Sequence, residues 1–132
     1  MNVAVSTVLF VLPLLASCGR TAPRPAGRKA VAIPISFVPA TSTEGFLKHW
    51  TLGSKSAWYS MERHEVLILD AARQTIVRLK DLPRDYGRIV ATGWEHDKDF
   101  FIHFSLGADE GTMAYLDLNR QMIVALEHWA AW

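Results

Sequence analysis

The stretch Leu67-Ile68-Leu69-Asp70-Ala71-Ala72-Arg73-Gln74-Thr75-Ile76-Val77-Arg78-Leu79 decides the fold. Two runs of apolar and β-branched residues flank a short polar segment that opens with an aspartate. Each run is too short for a helix and suits a half-buried strand. Asp70 stands where a carboxylate can accept bonds from the following backbone amides, so the segment predicts a hairpin. The pattern returns at Ala114-Tyr115-Leu116-Asp117-Leu118-Asn119-Arg120-Gln121-Met122-Ile123-Val124-Ala125-Leu126, where seven of thirteen positions are identical at an offset of 47 residues.

Outward from these hairpins the period-2 alternation continues in both directions. Val31, Ile33, Ile35 and Phe37 alternate with smaller or polar residues, and Pro34 places that strand at a sheet edge because it cannot donate to a ladder. Further strands are expected near 46–50, 57–61, 65–69, 74–79, 88–94, 99–105, 112–116 and 121–128. Turn residues separate them: Gly53-Ser54, Glu62-Arg63, Pro83-Arg84-Asp85, His96-Asp97, and Gly107 to Gly111. No segment shows a helical apolar period with caps. The sequence therefore predicts an all-β fold, an antiparallel meander of about eight strands, arranged as a sandwich or in a blade-like way. The strand-Asp-turn-strand repeat resembles the outer hairpins of β-propeller repeats. Two hairpins that arrived independently at the same turn chemistry would read the same way.

The chain of 132 residues has room for one domain once its first stretch is set aside. Half of the residues are apolar and the formal net charge is +1. That small charge hides an asymmetry: residues 18–30 carry Arg20, Arg24, Arg28 and Lys29 with no acid, whereas residues 31–132 hold ten Lys/Arg against thirteen Asp/Glu. A mildly acidic domain on a basic tether gives no footing for nucleic-acid binding, which needs its basic surface on the domain itself. One cysteine excludes an internal disulfide, so packing alone must hold the core.

Residues 3–16 form an apolar run shorter than the twenty or so residues of a membrane span, and they end in Leu15-Ala16-Ser17-Cys18. These four residues resemble the lipobox of bacterial lipoproteins. The resemblance implies cleavage after Ser17, attachment of diacylglyceryl and palmitate-type chains to Cys18, and a mature chain whose second residue is Gly19. It also implies an outer-membrane anchor facing the periplasm, since Gly19 stands where an aspartate favours inner-membrane retention. The n-region, Met1-Asn2-Val3, departs from the pattern by lacking Lys and Arg. The organisation expected is a signal peptide over 1–17, a Pro/Ala-rich tether over 18–30, and a single β domain over 31–132.

Catalytic groupings are sparse. There is no Gly-x-Ser-x-Gly elbow, phosphate-cradling glycine loop or His-Glu-x-x-His motif, and no cofactor is expected. Glu95-His96-Asp97-Lys98-Asp99 is the densest polar cluster. Asp97 and Asp99 with His96 or His103 would be the ligands or bases of a metal-dependent hydrolase. The same string also reads as a polar hairpin loop in which Lys98 repels a cation. Aromatic residues are more telling, because tryptophan enriches both cores and interfaces. Trp58, Trp129 and Trp132 are the candidate partner anchors, and Asp109-Glu110 is an acidic tip suited to a basic partner. The leading expectation is a membrane-anchored module that binds an envelope protein in an inhibitory, immunity or assembly role. A small-ligand or structural domain is the alternative.

Overall fold

The structure, a computed structural model, describes residues 27–130. The expected signal segment, the lipobox-like Leu15 to Cys18, most of the expected tether, and Trp132 lie outside the described residues. Ten strands and no helix make up the described chain. They are β1 (Lys29–Pro34), β2 (Ser36–Ala40), β3 (Leu47–Leu52), β4 (Lys55–Ser60), β5 (Glu65–Asp70), β6 (Thr75–Lys80), β7 (Arg88–Glu95), β8 (Asp99–Ser105), β9 (Glu110–Asp117) and β10 (Met122–Ala130).

Two five-stranded antiparallel sheets result. Sheet 1 has the order β1-β10-β9-β8-β7 and sheet 2 the order β2-β6-β5-β4-β3. Each is a four-stranded meander closed on its last strand by one strand from the N-terminal segment. The all-β, antiparallel, sandwich-like expectation holds, with ten strands in place of about eight. The expected strand over residues 31–37 is two strands, because the chain changes sheets at Ile35. There Ile35 N–H donates to Gln121 C=O at 3.1 Å and its side chain is buried. Val31, Ile33, Ile35 and Phe37 keep alternating through this corner because both sheets pack on one core. Pro34 does lie on an edge strand. The folded part begins earlier than Val31: β1 starts at Lys29, and Arg28, assigned above to the tether, lies against sheet 1.

The core fills from the inner face of each sheet. Phe100, Ile102 and Phe104 of β8 meet Ile89, Trp94, Ala114, Leu116, Ile123 and Leu126 of sheet 1, and Ala57, Val66 and Leu79 of sheet 2 close on them. Full burial of each large side chain contributes about 1.5–3 kcal/mol, so packing supplies what a disulfide does not. His64 is buried with its Nε2 2.7 Å from the Pro83 carbonyl oxygen and its ring beside Phe104.

At the side opposite the β1–β2 corner, β3 lies beside the free edge of β7. His49 Nδ1 sits 2.9 Å from Thr92 C=O and covers that edge. Trp50 reaches across to Phe101, edge to face at 5.8 Å between centroids. It does so over Gly93, where a Cβ would stand inside 3.0 Å of the indole.

The two quoted hairpins occupy equivalent places, as third and fourth strands of their meanders. Asp70 Oδ1 accepts from Ala72 N (3.1 Å) and Arg73 N (3.4 Å), and Asp117 Oδ1 accepts from Asn119 N (3.0 Å) and Arg120 N (3.1 Å). Gln74 and Gln121 both take left-handed conformations, with φ 55° and 57°. The gapless match ends at Val124, an extra residue that bulges β10 between the pairs Leu116↔Ile123 and Tyr115↔Ala125.

Equivalent positions also face opposite ways. Trp58 pairs with Leu67 as Ile102 pairs with Ala114, yet Ile102 and Ala114 are in the core between the sheets while Trp58 and Leu67 point to the other side of sheet 2, where Leu67 is fully buried beside Phe46. The sheets are stacked front to back, as successive propeller blades are, and not related by a two-fold.

Candidate functional site

The outer face of sheet 1 carries the densest arrangement of polar and aromatic groups. Alternation along β8, β9 and β10 turns Phe101, His103, Met113, Tyr115, Ala125, Glu127 and Trp129 to this side, away from the core. The Trp129 indole packs over Gly111, its register partner. A Cβ on Gly111 would stand 2.8 Å from the indole Cζ2 and Nε1. The glycine therefore makes the seat for the ring. Trp129 Nε1–H donates to His103 Nε2 at 3.0 Å, which fixes His103 as the tautomer protonated on Nδ1. Burial pushes the His103 imidazole below its ordinary value, so it stays neutral and keeps accepting that bond.

A second cluster shares the face. The Arg28 guanidinium lies 3.6 Å from the Tyr115 ring centroid, pairs with Glu95, and approaches Asp99 at 3.5 Å. Tyr115 Oη donates to Glu127 Oε1 at 3.1 Å. Burial, opposed by the Arg28 charge and aided by Glu95 and Glu127, pushes the phenol up to about 12. Arg28 covers Tyr115, which is buried, so the face offers the half-buried Trp129 and Met113 with acids around them.

The expected site residues divide between two places. Asp109 and Glu110 are exposed at the β8–β9 turn, and the neighbouring register pairs Glu110↔Ala130 and Gly111↔Trp129 put this acidic tip beside Trp129. Leu106, 56% exposed, stands at the same tip. Trp58 is elsewhere, half-buried on the outer face of sheet 2 with its Nε1–H on Ser56 Oγ at 2.8 Å and Lys48 above its ring. One heterologous patch cannot include both Trp58 and Trp129. Cys18 and Trp132 lie outside the described residues.

The string from Glu95 to Asp99 is a hairpin turn. His96 and Asp97 both have positive φ, and Lys98 N–H donates to Glu95 C=O at 3.1 Å. Among the described residues no three His, Cys, Asp or Glu side chains converge as a metal site, and Glu95 and Asp99 serve Arg28 instead. Arg28, Tyr115 and Glu127 were missed as a group. Pairing of Phe101 with Tyr115 would have placed Tyr115, but nothing local signals that Arg28 folds back 71 residues to Asp99.

A cleft of about 670 Å³ opens at the end of the molecule where both equivalent turns lie. Phe37, Ile68, Val77 and Leu118 form its apolar floor, and Lys55, Arg73, Gln74 and Gln121 its rim.

Comparison with known protein families, characterised proteins and solved structures returned no match.

Proposed function

We propose that the chain is a lipid-anchored lipoprotein of the outer membrane, facing the periplasm, whose β domain binds a protein partner through the outer face of sheet 1. One observation carries the binding reading: Trp129, seated on Gly111 and held by His103, lies beside the exposed Leu106-Asp109-Glu110 tip. A fixed aromatic loses little entropy on binding, and acids at its rim steer a basic partner. The partner surface this fits is apolar at its centre and rich in Lys and Arg at its edge.

The anchor rests on the lipobox at Cys18. Multiple acyl chains at about 0.8 kcal/mol per buried methylene make such an anchor effectively permanent. Cys18→Ser is expected to release the chain from membranes or leave it uncleaved; unchanged membrane association would remove the anchor. Reversing Asp109 and Glu110 to Lys is expected to weaken the complex about tenfold at low salt and flatten its salt dependence. Unchanged affinity would remove this face from the account.

The cleft supports a second reading, a small amphiphilic ligand, since pockets of about 300–1,000 Å³ with an apolar floor and few polar groups suit such molecules. Titration with a medium-chain fatty acid, followed by nuclear magnetic resonance shifts at Ile68, Val77 and Leu118, separates the two readings.

A further inference from the structure

We infer that the cleft beside the two equivalent turns takes a single-chain amphiphile with an anionic head, its tail lying across the inner face of sheet 2 toward Phe37 and its head beside Lys55. The inference rests on the small-ligand reading of the cleft and names the ligand's charge and pose.

The register of sheet 2 supplies the first argument. Its inward-facing side chains form rows that cross the strands, one pleat apart. Val66, Leu79 and Phe37 make the deepest row, where Val66 and Leu79 are fully buried. Ile68, Val77 and Pro39 make the next, and Lys55, Asp70 and Thr75 stand at the mouth. Polarity therefore changes in one step, from apolar floor to charged mouth. Ile68 and Val77 point the same way as Val66 and Leu79, yet both are only half-buried. The sheets part over this row: among the described residues of the cleft wall, sheet 1 contributes only Leu118 and Gln121, from the β9–β10 turn. Apolar surface of core type is left facing water, and covering it is favourable.

Charge is the second argument. The cleft wall carries two cations, Lys55 and Arg73, against one acid, Asp70. Asp70 is occupied by its own turn. Its Oδ1 accepts from the Ser54 hydroxyl at 3.2 Å and from the amides of Ala72 and Arg73, while Oδ2 faces Arg73 Nε at 3.9 Å. The Asp70 side chain is only 15% exposed. Lys55 is exposed at the same mouth and makes no ion pair among the described residues. An anionic head is attracted there, whereas an ammonium head meets two like charges.

Shape is the third argument. The cleft of about 670 Å³ falls within the roughly 300–1,000 Å³ of small-ligand sites. From β4 to β2 it crosses three strand spacings, which at about 4.8 Å each make a floor of roughly 14 Å, the reach of a medium-length acyl chain. That floor belongs to β5 and β6, interior strands whose backbone groups are paired on both sides. It offers no ladder to a peptide, and a chain without hydrogen-bonding groups fits it.

The test is photolabelling of the full chain in vesicles of neutral phosphatidylcholine. Four probes share one decyl chain with a diazirine at its end and differ only in the head: carboxylate, phosphate, alcohol or ammonium. Labelled residues are read by peptide mass spectrometry. The anionic probes are expected to label Phe37 to Ala40, Ile68, Val77 and Leu118 at least about tenfold more than the ammonium probe, with the alcohol between them. The stronger of the two anionic probes identifies the head as a carboxylate or a phosphate. Lys55→Glu changes an exposed side chain and is expected to lower anionic labelling about tenfold while raising that by the ammonium. Cleft labelling that ignores the charge of the head, or that Lys55→Glu leaves unchanged, overturns the inference and leaves the small-ligand reading standing. No labelling of the cleft by any of the four overturns both.

Discussion

Gly93→Ala tests the contact that ties the two sheets together at β3 and β7. The added methyl would stand inside 3.0 Å of three indole atoms of Trp50, and the neighbouring backbone of β7 is hydrogen-bonded to β8 on one side and faces His49 on the other. Neither the strand nor the ring has free room, so the ring must leave Phe101. Over-packing of this kind costs about 1–3 kcal/mol. For a domain of this size a cost of about 2 kcal/mol lowers the melting temperature by roughly 10 °C. Trp50→Ala alone removes a half-buried indole and is expected to cost about 2–3 kcal/mol. In the Trp50→Ala background the methyl meets no ring. Gly93→Ala should then be neutral or stabilising by up to about 1 kcal/mol, because alanine restricts the unfolded chain. A double-mutant cycle by urea denaturation therefore predicts a coupling of about 2 kcal/mol. The same cost for Gly93→Ala in both backgrounds would refute the packing argument.

Three further outcomes are expected. His103 is held below the ordinary histidine value by burial, so its contribution to stability is complete above about pH 6.5 and is lost as pH falls through its folded value. Urea midpoints compared at neutral and mildly acidic pH should show a smaller drop for His103→Gln, and an unchanged drop would contradict the assignment. Tyr115, pushed up to about 12, contributes stability that is complete below about pH 10 and is lost as pH rises toward 12; ultraviolet titration should show one late phenol that Tyr115→Phe removes. Asp70→Ala and Asp117→Ala each strip the same two amide bonds from equivalent turns, so each should cost about 1 kcal/mol, with Asp70→Ala the costlier because it also loses the Ser54 hydroxyl; a negligible cost at either would deny the equivalence.

Local structure was legible in the sequence where local chemistry determines it. β8 runs from Asp99 to Ser105 as its alternation predicts, and the paired aspartates announce both hairpins. The sheet change at Ile35 was hidden because two sheets sharing one core preserve a single period across the corner. Pairing of β1 with β10 and of β2 with β6 is long-range and leaves no mark in a short window. Trp58 and Trp129 were visible as surface tryptophans, but their assignment to opposite faces needed the strand register. Arg28 was read as a tether charge because its partners, Glu95 and Asp99, come from a distant hairpin.

The claim that the outer face of sheet 1 is the binding surface is tested most directly by photo-crosslinking the full chain in cells, with a benzophenone amino acid at position 129 or at position 58. A discrete adduct from position 129 is the expected result. Adducts from position 58 alone, or none from either, would contradict the account.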